Sequence, residues 1–179
     1  MPTISRSISA LLALAFLFGT SGCGSTDGVA AKSWARAVCS ALNPWRTEIT
    51  SLTAKAQQQL NTATTADQTK TNVVALLAGA EQSSEKARQG VAGAGVPAVD
   101  HGAEIAKQFA VSLEKARDAY GHAKASVSAL PTKNSKSFYA GVKSTFDTLK
   151  DEYAKSALDT GNVGSKDLQQ AFDEVPECR

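Results

Sequence analysis

The chain has 179 residues, of which 42% are hydrophobic and 20% charged, and its formal net charge is +2. That is one domain's worth, with enough apolar material for a core. Lys and Asp/Glu are interspersed, without acidic or basic blocks or basic patches with interleaved aromatics, which excludes a nucleic-acid partner from the expected ones.

Arg6 precedes an apolar run from Ile8 to Phe18. The run has the length of a signal-peptide core and about half the roughly 20 residues a membrane-crossing helix needs. Thr20-Ser21-Gly22-Cys23 follows it. Two small residues before a cysteine resemble the lipobox of bacterial lipoproteins, in which that cysteine takes a thioether-linked diacylglycerol and becomes the mature N-terminus. Thr20 departs from the pattern, which usually has an aliphatic residue there. The resemblance implies a signal peptide over 1–22 and lipidation at Cys23, and two acyl chains suffice for stable anchoring. The alternative is an ordinary secretory signal with Cys23 incidental. Residues 23–29 then form the lipidated cysteine and a flexible tether, and 30–179 the folded domain.

The chain has three cysteines. If Cys23 carries lipid, as the resemblance implies, Cys39 and Cys178 are the only remaining pair, in a compartment where disulfides persist. Two unrelated free thiols are the other possibility.

From Ala30 onward apolar residues recur every three or four positions, the signature of helices with one buried stripe. The first segment carries Trp34, Val38, Leu42, Trp45, Ile49, Leu52, Ala56 and Leu60. Asn43-Pro44 interrupts it, so it is either two helices or a single kinked rod, and the constant phase of the stripe favours the rod. Thr65 or Asp67 caps a second helix with Val73, Leu77, Ala80, Ser84, Ala87 and Val91 on one face. Gly90, Gly93 and Gly95 end it. Pro97 is expected at the first position of a third helix, with Asp100 in its first turn. Its expected stripe is Val99, Ala103, Ala106, Ala110, Leu113, Ala116, Tyr120 and Val127, widened by Ile105 and Phe109. Asn134 or Ser135 caps a fourth helix with Phe138, Val142, Phe146, Leu149, Tyr153 and Leu158. Ser165 caps a short fifth with Leu168, Ala171, Phe172 and Val175, stopped by Pro176.

No period-2 alternation competes with this pattern. The expected fold is all-α: an antiparallel up-down bundle of four long helices plus a short C-terminal helix. In that topology the fourth helix ends level with the start of the first. The last helix then climbs roughly 16 Å back, which brings Cys178 to the height of Cys39.

Residues that could carry chemistry are few. His101 and His122 fall on one predicted helix about 30 Å apart at 1.5 Å per residue, too far to share a metal. The Glu-x-x-His pairs of di-iron bundles do not occur, and Met1 is the sole methionine. No nucleophile elbow or phosphate-cradling loop appears. No catalytic residue, metal or cofactor is therefore expected, and the chain reads as a non-enzyme. Asp118 and His122 read as a helix-face pair, Trp34 and Trp45 as core, and Glu81/Glu85/Arg88, Glu114/Arg117 and Asp151/Lys155 as solvated faces.

The lipobox-like signal, Trp34, Cys39, Pro44-Trp45, the Ala-rich helical domain and the terminal Val-Pro-Glu-Cys-Arg together look like the small exported helical lipoproteins of actinobacteria. That resemblance implies the outer face of the cytoplasmic membrane and carries over no site residues. The paired-helix WXG-type secreted proteins are not matched, because neither tryptophan is followed by the required Gly. The expected function is an interaction or structural module of the envelope, anchored by lipid and meeting an unidentified protein partner. The other reading is a carrier for a lipid or small hydrophobe held inside the bundle.

Overall fold

The computed structural model describes residues 28–156 and 163–179. Cys23 and Leu158 lie outside them. The expected five helices are α1 (Ala31–Thr62), α2 (Ala66–Gly93), α3 (Gly102–Ala129), α4 (Ser135–Ala154) and α5 (Lys166–Glu174), followed by a 3₁₀ turn over Pro176–Cys178. Short connections make α1, α2, α3 and α4 antiparallel neighbours in sequence order, and α5 with its 3₁₀ turn lies against α1.

Side chains expected at the caps do the capping. Thr65 accepts from the Gln68 amide, Asn134 from that of Ser137 and Ser165 from that of Leu168, each filling an amide the first turn leaves open. At the far end of α2, Gly95 takes φ +76°, a backbone state costly for residues with a Cβ. Lys70 of α2 donates to the Leu130 carbonyl at 2.9 Å, so a cation satisfies the carbonyl end of α3.

α1 is a single helix of 32 residues with Pro44 inside it. Pro44 lies on the exposed side, where the carbonyl it deprives of a donor is within reach of water. Gly90 does not end α2; it lies inside the helix where α1 passes closest. A Cβ there would stand 2.7 Å from the Ala41 Cβ. Gly90→Ala is accordingly expected to lower stability by about 1–2 kcal/mol, overpacking outweighing the ~1 kcal/mol gain in helix propensity. A urea midpoint that rose instead would show that Gly90 does not set the α1–α2 spacing.

The core is divided into two tiers. The upper tier takes Trp34, Val38 and Leu42 from α1, Val91 from α2, Ile105, Phe109 and Leu113 from α3, and Leu168 and Phe172 from α5. The lower tier takes Val73 and Leu77 from α2, Ala119, Ala123 and Val127 from α3, and Leu149 from α4. Trp34 anchors the upper tier. It is fully buried, meets Phe109 and Phe172 edge-on at 5.3 and 6.1 Å, and donates from Nε1 to the Gly95 carbonyl at 2.9 Å.

Several other sequence expectations change. α3 starts at Gly102 rather than Pro97, behind His101 in the left-handed region at φ 57°. The reason is tertiary: Ala98 donates to the Val29 carbonyl and Val29 donates to that of Val96, so residues around Pro97 form a short parallel bridge instead of a helical turn. Glu104, not Asp100, supplies the first-turn charge. The buried face of α3 is correspondingly rotated, running through Gly102, Ile105, Phe109, Leu113, Ala116, Ala119, Ala123 and Val127, and Ala103 is exposed. The same bridge shows that the stretch read as flexible tether is already pinned at Gly28-Val29. Finally, α4 has 20 residues and ends beside Trp45–Thr50, more than two turns below the start of α1.

Candidate functional site

Cys39 and Cys178 are joined, with sulfurs 2.03 Å and Cα atoms 5.1 Å apart. The bond was expected, but not by this route: α4 ends beside Trp45–Thr50, α5 begins beside the α2–α3 connection, and the 3₁₀ turn after α5 lies on α1 beside the helix turn that carries Cys39. Lys32 pairs with Glu174, and Arg36 with Glu177 at 3.2 Å, flanking the bond on the same face. Both sequence ends of the described domain therefore meet at one pole. The chain enters through the Val29 bridge and finishes at the disulfide.

Both tryptophans are core residues, as expected. Trp45 is 9% exposed and its Nε1 donates to the Ser84 hydroxyl at 3.1 Å, which in turn donates to the Ala80 carbonyl at 2.8 Å. The buried polar serine is thus satisfied on both sides.

The groups read as solvated charges are in part a clamp between α2 and α3. Glu85 accepts from Arg88 Nε and Nη2 at 2.8 and 2.7 Å and from Arg117 Nη1 at 3.0 Å. Arg117 also holds Asp118, and Lys124 pairs with Glu81 across the same interface. The Arg88 and Arg117 guanidiniums hold the Glu85 carboxyl far below its ordinary range. A depressed carboxylate contributes stability above its unfolded value, here 4.5, and loses it as pH falls towards the folded value. Wild type is therefore expected to exceed Glu85→Gln by about 1 kcal/mol at pH 7, the upper range for a partly exposed network. The gap should narrow as pH drops below 4.5, read as the difference in urea midpoints. A pH-independent gap would remove the ionic cause.

His122 does not pair with Asp118. Its Nδ1 lies 3.1 Å from Glu152 of α4, because Arg117 takes Asp118. His101 caps α3 and faces Glu104 at 3.2 Å. No group of three or more His, Cys, Asp or Glu among the described residues has a metal-binding arrangement. No helix among them is long and apolar enough to cross a membrane.

One concavity with an apolar floor was not indicated by the sequence pattern. Among the described residues α4 packs on α3 and touches α2 but makes no backbone-level contact with α1. The bundle is therefore open between α1 and α4, and a groove of about 520 Å³ runs over α3 there. Its floor is Trp45, Ile49, Leu113 and Ala116, and Arg46 and Tyr153 stand at its rim. Tyr153 tilts against Tyr120 with ring centroids 5.7 Å apart. Burial pushes the Tyr120 hydroxyl above the usual phenol range and raises that of Tyr153 as well, where contact with Tyr120 and the Arg46 guanidinium act in the opposite sense. Arg46 of α1 and Tyr153 of α4 thus line the same groove from different helices. Sequence periodicity had marked Trp45, Ile49, Leu113, Ala116 and Tyr153 as stripe residues. Arg46 had no signal at all, since a lone cation on an amphipathic helix is ordinary.

No family model matches the chain, and no curated protein or solved structure is significantly similar to it.

Proposed function

We propose that this chain is a lipid-anchored, non-enzymatic module of a bacterial envelope, held at the outer face of the cytoplasmic membrane through Cys23 and offering its helical domain to a protein partner. The observation that supports it is the clamped pole. Val29 is bonded on both its backbone groups to the α2–α3 connection, and Cys39–Cys178 lies on the same half of the domain. A pull from an anchor six residues upstream, within a reach of about 20 Å, is delivered to the stapled tier of the core. Both an anchor and an exported disulfide suit the same compartment.

Replacing Cys23 by Ser tests the anchor. The wild type is expected in the membrane fraction with incorporated labelled fatty acid, and Cys23→Ser in the soluble exported fraction with none. Membrane retention of the variant, together with an unlabelled wild type, would remove the lipoprotein reading. Crosslinking in intact cells should then capture a protein partner.

The groove favours a second reading, a carrier for a lipid or small hydrophobe. Its volume falls in the range of small-molecule sites, about 300–1,000 Å³, and its floor is apolar. Native mass spectrometry of the delipidated domain separates the two: a retained apolar ligand supports the carrier, an empty domain the module.

A further inference from the structure

We propose that the groove between α1, α3 and the end of α4 binds a single-chain anionic amphiphile, its acyl chain along Trp45, Ile49, Leu113 and Ala116 and its head group at Arg46. This rests on the carrier reading and names its ligand class.

Ten residues line the groove, against the roughly 20–30 that a stable protein partner covers on each side. The cavity is of small-ligand dimensions instead. Leu113 and Ala116 are buried at the base, 1% and 2% exposed, and Trp45 borders it with one face, its Nε1–H already committed to Ser84. No hydrogen-bonding demand is therefore made along the floor, so it accepts methylenes without leaving a buried polar group unpaired. An acyl chain gains about 0.8 kcal/mol per methylene buried.

The rim supplies the charge. Among the described residues Arg46 is the one cation lining the groove, none of the lining residues is acidic, and Arg46 forms no ion pair. Tyr153 lines the same groove, and Ser112 and Thr50 add hydroxyls. Thr50 is bonded to the Arg46 carbonyl at 2.9 Å, which ties the rim to its own helix. A guanidinium beside hydroxyls matches a carboxylate or phosphate, whose oxygens accept its forked donors. Arg36, Arg88 and Arg117 do not offer this, because they are committed to carboxylates.

The test uses the full chain with its disulfide intact and Cys23→Ser, so that its own lipid cannot compete. The probe is bromine-labelled stearate, with its methyl ester as the neutral control. Trp34 is fully buried, so bromine quenching reports Trp45 at the groove. The acid is expected to quench saturably at one per chain and to bind about tenfold more tightly than the ester. Arg46→Gln, an exposed change that leaves the core untouched, should bring the acid down to the level of the ester. Thr50→Phe, also exposed, should weaken both by crowding the rim. A lysophospholipid with a phosphate head, binding like the acid and equally sensitive to Arg46→Gln, would extend the anionic class from carboxylate to phosphate. An ester that binds as tightly as the acid would overturn the head-group assignment while leaving the carrier reading intact. Unsaturable quenching by both probes would overturn the two together.

Discussion

Removing the Cys39–Cys178 bond is expected to cost about 3–5 kcal/mol, a large share of the roughly 5–15 kcal/mol that holds a typical single domain folded. The bond closes a loop across a sequence separation of 139 residues, so in its absence the unfolded chain regains nearly all of its end-to-end freedom. A native-state effect adds to this. α5 has nine residues, too few to be helical alone, and holds its form by seating Leu168, Phe172 and Val175 in the upper tier. The double variant Cys39→Ser/Cys178→Ser should therefore lower the urea midpoint strongly and expose α5 amides to hydrogen exchange first. Equal midpoints for oxidised and reduced protein would show that the bond is not a stabilising element.

Trp34→Ala is expected to lose about 3–5 kcal/mol, since it empties a fully buried indole site. Three elements depend on that ring: the Phe109 and Phe172 edges, and the Gly95 carbonyl that its Nε1–H satisfies. Phe109 and Phe172 stack on each other with centroids 6.0 Å apart, so the cavity is bounded by rigid rings that collapse poorly. Trp34→Phe keeps most of the volume and removes only the donor. It should cost about 1–2 kcal/mol, the penalty for leaving that carbonyl without its partner. Near-ultraviolet circular dichroism and urea midpoints measure both. A midpoint for Trp34→Ala within about 1 kcal/mol of wild type would mean that the upper tier is not organised on this ring. Combined with loss of the disulfide, Trp34→Ala should leave no folded population at 37 °C.

Much of the fold was legible along the chain because helices are local. The stripe in α2 from Val73 to Val91 is buried residue for residue as its spacing implied, and Thr65, Asn134 and Ser165 cap where their side chains suggested. The start of α3 was not legible. Pro97 and Asp100 have the chemistry of a helix start, but Val29, distant in sequence, takes the Ala98 amide for a bridge and delays the helix to Gly102. The rotation of the α3 face follows from the same competition. Gly90 likewise has the chemistry of a helix end and serves instead as the place where α1 comes close.

Charge was read least well. Glu85, Arg117, Glu81 and Lys124 repeat at spacings that fit solvated faces equally well, and only the azimuth of α2 against α3 turns them towards each other. The groove was invisible for the same kind of reason: each lining residue has an ordinary place on its own helix.

The sequence by itself determined the helices, the caps of α2, α4 and α5, the residues able to fill a core and the pairing of the two cysteines that a lipidated Cys23 leaves over, because all of these depend on spacing within a few turns or on counting. Tertiary structure alone decided where α3 begins, which carboxylate each arginine meets, and that α4 leans on α3 without meeting α1 among the described residues. Those depend on how far apart and at what rotation finished helices settle, and a helix carries no record in its own period of the neighbour it will lack.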